Sequence, residues 1–247
     1  LGKYLFEANV RYDGSSRFDE DNKFGVFPSF SAGWRISEES FLHNADWLYN
    51  LKLRASWGEL GNQQIGNYPY QAILSSGYNA IWGNSVYNGI VMNTVANADI
   101  TWETTAITDV GLDFGLFEGT LSGSVDYFDK TTRDILYNIT TAGTLGLNAS
   151  PSNAGKVKNS GWDINLSYTE NLGDFSFEIA PHFSVVETEV LELSDVEKDI
   201  AKGLFIGGPL NALYGYTADG LFVDEADISS YPDQPYNPQP GDIRYKD

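Results

Sequence analysis

The chain has 247 residues, with 15 Lys+Arg against 34 Asp+Glu for a net charge of −19, 14% aromatics and no Cys. That charge argues against nucleic acid and anionic lipid headgroups as partners, and the missing Cys excludes a disulfide framework, a thiolate metal site and a cysteine nucleophile. No window approaches the about 18 apolar residues of a transmembrane helix, a test that says nothing against strands, whose membrane spans are shorter and alternate.

Alternating polarity marks out about seven strands. In the first, 3–13, Tyr4, Phe6, Ala8, Val10 and Tyr12 face one way, and Lys3, Glu7, Asn9, Arg11 and Asp13 the other. The second, 24–36, sets Phe24, Val26, Pro28, Phe30, Ala32, Trp34 and Ile36 against Gly25, Ser29, Ser31, Gly33 and Arg35, with a local irregularity expected at Pro28. A connection with a helical turn at 38–42 leads to the third, 49–59, where Tyr49, Leu51, Leu53, Ala55 and Trp57 oppose Lys52, Arg54, Ser56 and Gly58. Residues 61–99 lack a period and are rich in Asn, Gly and Tyr, which reads as a long loop.

A hairpin follows over 104–129. Ala106, Thr108, Val110, Leu112 and Phe114, then Leu121, Gly123, Val125 and Tyr127, form its apolar face; Asp109, Asp113, Ser122, Ser124 and Asp126 form its polar face. Residues 130–157 are again irregular, with 133–140 readable as a prolongation of the preceding strand beyond the membrane. The sixth strand, from 161, carries Trp162, Ile164, Leu166 and Tyr168 on its apolar side, and after a tight turn the seventh carries Phe175, Phe177, Ile179, Pro181, Phe183 and Val185. From about 187 onward the chain reads as a long acidic segment with short β-like pieces.

Such strands suit either a soluble sandwich or a membrane barrel with lipid outside and water inside. Three regularities favour the barrel. None of the apolar-face positions is Asp, Glu, Lys or Arg, although these types make up 20% of the chain. The connections tend to alternate in length (about 10, about 10, about 45, 5, about 30, 5 and about 60 residues), as short periplasmic turns and long outer loops would require. Aromatics also cluster at both strand ends: Tyr12, Phe24, Trp57, Trp102, Tyr127 and Trp162 at an outer rim, and Tyr4, Trp34, Tyr49, Phe114, Tyr168 and Phe175 at an inner one. Two belts of this kind anchor at lipid–water boundaries. About seven strands leave no room for a lumen, and open edges are not tolerated in hydrocarbon, so further strands of a longer polypeptide are expected.

Particular stretches resemble a known family. Ala8-Asn9-Val10-Arg11-Tyr12-Asp13-Gly14, Gly33-Trp34-Arg35-Ile36-Ser37-Glu38-Glu39, Leu51-Lys52-Leu53-Arg54-Ala55-Ser56-Trp57-Gly58, Trp102-Glu103-Thr104-Thr105, Asn153-Ala154-Gly155-Lys156-Val157-Lys158-Asn159-Ser160-Gly161 and Pro240-Gly241-Asp242-Ile243-Arg244-Tyr245 are similar to the SusC/RagA-type TonB-dependent transporters of Bacteroidetes outer membranes. The resemblance implies an antiparallel transmembrane β-barrel of about 22 strands, of which residues 1–247 are a part without the plug domain, the TonB-binding segment or the terminal strands. It implies outer-membrane import of oligosaccharide or peptide with a SusD-like surface lipoprotein as lid, driven by TonB.

No hydrolase, P-loop or dinucleotide motif is present, so neither catalysis nor a cofactor is expected. The acidic run Asp19-Glu20-Asp21 reads as a solvated loop in preference to a Ca²⁺ site, and no metal is expected. Tyr68, Tyr70, Tyr78, Trp82 and Tyr87, interleaved with Asn and Gln, suit sugar rings or peptide; the plainer reading is that they pack the loop or touch the lid. Glu7, Arg11, Arg54, Asp109 and Asp113, with Lys3 and Lys52, are expected to line the lumen, and Tyr12, Trp34, Trp57, Trp102, Tyr127, Trp162 and Tyr168 to sit at the membrane interface. Two other readings remain open: a soluble extracellular carbohydrate-binding sandwich, and a passive porin or adhesin barrel.

Overall fold

The computed structural model describes residues 2–138, 144, 146–148, 150–194 and 196–246. Eight strands make one antiparallel sheet. They are β1 (Tyr4–Gly14), β2 (Phe24–Arg35), β3 (Leu48–Asn62), β4 (Glu103–Leu116), β5 (Leu121–Arg133), β6 (Gly155–Leu172), β7 (Phe175–Ile179) and β8 (His182–Leu193). Each pairs with its sequence neighbour as far as β6, and both β7 and β8 pair with the far side of β6. Among the described residues the sheet stays open, with β1 at one edge and β7–β8 at the other.

Register decides which residues share a face, because directly opposed residues of an antiparallel pair point the same way. One continuous row runs across the sheet: Tyr4 opposite Trp34, Trp34 opposite Leu53, then Leu112, Val125, Ile164 and Phe183. All seven apolar faces read from the sequence therefore merge into a single surface. That surface is not a core. Leu53, Val110, Leu166 and Ile179 are 38%, 45%, 39% and 60% exposed, where a sandwich would have buried them against a second sheet.

Connections 36–47, 117–120 and 173–174 gather at one end of the sheet, and 15–23, 63–102 and 134–154 at the other. The short end is the inner one if the barrel rule holds. Connection 36–47 contains two 3₁₀ turns, Ile36–Glu38 and Ser40–Leu42, where a single helical turn was expected. Connection 63–102 contains a nested pair of short hairpins: Leu74–Ser76 pairs with Ile90–Met92, and Ala80–Trp82 with Ser85–Tyr87. After β8, Ala218–Leu221 pairs with Ile243–Tyr245 around a short helix, Glu225–Ser230, and buries Phe222.

The strands reach further outward than the alternation suggests. β6 begins at Gly155 and β8 continues to Leu193, and the two pair from Gly155 opposite Leu193 down to Asn165 opposite His182. Ser160 and Lys158 face Glu187 and Glu189 there, on the same side as Trp162 and Val185. The face changes from apolar to charged while the backbone ladder continues. That is why 155–157 read as part of an irregular stretch and 187–193 as acidic loop. Pro181 divides the expected seventh strand, since a residue without an N–H cannot continue the ladder. Pro28 has a milder effect than expected: the β1–β2 register runs straight through it, and only the β2–β3 ladder stops short, at Ser29.

Candidate functional site

On the polar face, the row next to the apolar one runs Gly33, Arg54, Gly111, Asp126, Asp163 and Ser184. Arg54 is its centre. Its Nε and Nη2 donate to the two carboxylate oxygens of Asp113 at 2.8 and 2.9 Å, a bidentate fork. Nη2 also donates to Asp126 Oδ1 at 2.6 Å, and Nη1 lies 3.7 Å from Asp109. Asp126 is two strands from Arg54, and the residue between them is Gly111. A Cβ at Gly111 would collide with both Asp126 Oδ1 and the Arg54 guanidinium, so only glycine leaves the space this ion pair crosses.

The three aspartates are half-buried and depend on one cation. Arg54→Met should therefore destabilise the protein by about 2 kcal/mol, between the values for an exposed and a buried pair. Chemical unfolding of the full-length protein in lipid checks this, and replacing Asp113 by Leu in the same background should recover part of the loss. Beside this cluster lies a cavity of about 440 Å³ lined by Leu5, Glu7, Ser31, Lys52, Arg54 and Asp109. Four residues expected on the lumen side thus border one hollow, while Arg11 pairs with Asp13 further along β1.

At the inner rim, Glu39 ties the start of β1 to the end of β2. Its carboxylate accepts from the Tyr4 hydroxyl at 2.8 Å, from Trp34 Nε1 at 3.2 Å and from Lys3 Nζ at 3.3 Å. The Tyr4 hydrogen bond, then those of Trp34 and Lys3, hold the Glu39 carboxyl below its ordinary value. A lowered folded-state pKa stabilises above the unfolded value, about 4.3, and that stability is lost as pH falls through the folded value. Glu39→Gln should therefore flatten the acid limb of the thermal midpoint below the unfolded value of about 4.3, and leave it parallel to wild type above pH 6.

The expected interface aromatics divide into two groups. Tyr12 stacks on Phe24 with ring centres 4.9 Å apart, Trp57 on Phe30 at 6.1 Å, and Tyr127 meets Trp162 at 5.0 Å, all on the apolar surface. Trp34 and Tyr168 lie on that surface at its other end, Tyr168 donating to Glu170 at 2.6 Å. Trp102 is different. It is buried, 5.1 Å from the Phe18 ring and 5.5 Å from the Phe27 ring, with Ile100 completing the cluster and Ile65, Tyr70 and Leu136 packed on it. Trp102 precedes β4, so the strand's alternation does not constrain it, and the apolar surface offered by Phe27 on the polar face draws it inward. Gly61 makes the room, since a Cβ there would overlap the Phe27 ring.

The five aromatics expected to bind solute do not form one site. Tyr70 packs on the buried cluster, with Tyr68 edge-on to it at 6.2 Å. Tyr78, Trp82 and Tyr87 stand on the nested hairpins; Tyr78 accepts a hydrogen bond from Asn93 at 2.6 Å, and Trp82 is 83% exposed. Among the described residues no group of three His, Cys, Asp or Glu side chains could hold a metal ion, and no helix is long and apolar enough to cross a membrane.

Residues 1–245 match the family described as TonB dependent receptor-like, beta-barrel. The chain belongs to that family. TonB-dependent receptor P39 of Formosa agariphila is 38% identical over 94% of this chain, and TonB-dependent receptor SusC of Bacteroides thetaiotaomicron 32% identical over 78%. The solved RagAB peptide transporter superposes with a TM-score of 0.79 at 29% identity over 90% of this chain. The chain spans only 22%, 20% and 25% of these three proteins. Its sheet is thus a section of a TonB-dependent receptor barrel, resembling the SusC and RagA type. Within that receptor section, Asp126, Gly111, Glu39 and Phe27 were given no site role from the sequence; an apolar Phe27 on a polar register was the signal available for the buried cluster.

Proposed function

We propose that this barrel section forms part of the wall of an outer-membrane transporter that imports a nutrient, an oligosaccharide or a peptide, with a SusD-like lipoprotein as its outer lid and TonB as its energy source. The observation that carries this reading is the pair of faces on one sheet: an apolar surface, charged only at its ends, left exposed across the strands, backed by a polar surface centred on Arg54. Lipid covers the first, and solute and plug meet the second. Tyr12, Trp34, Trp57, Tyr127, Trp162 and Tyr168 anchor at the two boundaries, and Glu7, Arg11, Arg54, Asp109 and Asp113 line the lumen. Tyr78, Trp82 and Tyr87, on an exposed arm, fit contact with solute or lid; Tyr68 and Tyr70 support the arm's base.

Growth of the source bacterium on single oligosaccharides or peptides, with and without its tonB gene and the gene for the full receptor, tests this. Both deletions should abolish growth on the same compound, and a lipoprotein should co-purify with the tagged receptor in detergent. Growth that needs the receptor but not TonB would instead mark a passive pore.

A further inference from the structure

The stretch 60–98 holds no Asp, Glu, Lys, Arg or His, in a chain where Asp, Glu, Lys and Arg make up 20%. It carries the arm of nested hairpins, on which Ile81, Trp82, Val86, Tyr87 and Ile90 are exposed. Asn88-Gly89, within the arm, is the one Asn-Gly pair of the sequence. The inner hairpin ends at Tyr87 and the outer ladder resumes at Ile90, so the pair is the link between two ladders and belongs to neither.

Both groups that an Asn-Gly pair needs to react with itself are unengaged. The Gly89 N–H and the amide of the exposed Asn88 make no hydrogen bond among the described residues. No Cβ shields the Gly89 nitrogen from Asn88 Cγ, and the fold requires that glycine, because a Cβ at 89 would lie 2.1 Å from the Tyr78 carbonyl oxygen. Other asparagines before small residues are tied. Asn153 donates to the carbonyls of Thr101 and Asp134, and the Ala154 N–H that follows donates to the Ile135 carbonyl at 3.0 Å. Asn159-Ser160 sits in the β5–β6–β8 ladders, with Asn159 accepting from Thr188 at 2.7 Å.

We propose that Asn88 is a modification site, where the chain deamidates spontaneously through a succinimide. The Gly89 nitrogen bonds to Asn88 Cγ, and its proton leaves with the amide nitrogen as ammonia. Water then opens the ring at one of its two carbonyls, giving aspartate or isoaspartate at 88. Either product puts a carboxylate on the charge-free arm beside Tyr87. Isoaspartate also lengthens the main chain by a methylene where the two hairpins join. The reaction depends only on water and the local backbone, whatever the receptor imports.

Ageing the detergent-purified full-length receptor in mildly alkaline buffer tests this. Chymotrypsin is the protease to use, since no Lys or Arg lies between Arg54 and Lys130. The peptide beginning at 88 should gain about 1 Da at least about tenfold faster than peptides containing Asn153 or Asn159, whose local structure must open first. Raising the pH should speed the gain, because the attacking nitrogen must lose its proton. Protein isoaspartate methyltransferase should label the aged peptide. Asn88→Gln, whose longer side chain closes a ring far less readily, should abolish both signals and leave the thermal midpoint unchanged. A peptide at 88 that keeps its mass as long as those at 153 and 159 overturns the proposal. So does a gain of mass without isoaspartate, which would mark direct hydrolysis of the side chain.

Discussion

Trp102→Ala should cost about 3–5 kcal/mol, as removal of a large buried aromatic does. The ring lies between Phe18 and Phe27 with Ile100 beneath, so truncation leaves a cavity whose walls belong to three different segments. Those segments are connection 15–23, β2 and the end of connection 63–102, so the loss should first appear as loosened outer loops on an intact sheet. Limited proteolysis should cut within 63–102 in the variant under conditions where wild type resists. Trp102→Phe should cost far less, because the indole N–H finds no partner among the described residues and only ring contact would change. Equal damage from both substitutions would mean that the N–H, and not the packing, matters.

Leu112→Lys should destabilise the full-length receptor in lipid by about 2–4 kcal/mol, the range for a Lys on a barrel's lipid face near the bilayer midplane. Leu112 stands in the apolar row between Leu53 and Val125, with no polar neighbour in that row to receive an ammonium. Ser124→Lys, on the opposite face of the adjoining strand where Asp113 is its cross-strand neighbour, should change stability by less than about 0.5 kcal/mol. Denaturant unfolding in liposomes compares the two. The contrast matters more than either value, since only a sheet with lipid on one side and water on the other separates them so widely.

The two faces were legible because hydrocarbon enforces a strict period of two, and every register in the sheet agrees with the alternation of Tyr4–Tyr12, Leu53–Trp57, Ala106–Phe114 and Trp162–Tyr168. Beyond the hydrocarbon that enforcement ends. Lys158, Asp129 and Glu189 sit on paired strands, with Lys158 bonded to Asp129 at 2.8 Å, yet their composition is that of a loop. Arg54 was legible as a polar-face residue; its bond to Asp126 was not, because it crosses an intervening strand and depends on an empty position at Gly111. Trp102 misled for the complementary reason: an aromatic at a strand end fits a lipid belt and an interior cluster equally well until Phe18 and Phe27 are placed. The scattered Tyr68–Tyr87 set could not be assembled from sequence, since nested hairpins set its spacing in space.

Site-directed spin labelling along β4 of the full-length receptor in liposomes tests the two-faced sheet most directly. Labels introduced singly from 106 to 114 should show oxygen accessibility peaking at 106, 108, 110, 112 and 114. Accessibility to a water-soluble nickel chelate should peak at 107, 109 and 113, in opposite phase, with Gly111 left unlabelled because a side chain there would collide with Arg54 and Asp126. Labels that see neither reagent at the even positions, or both in phase along the strand, would place those side chains inside protein or in water and contradict a wall set in lipid.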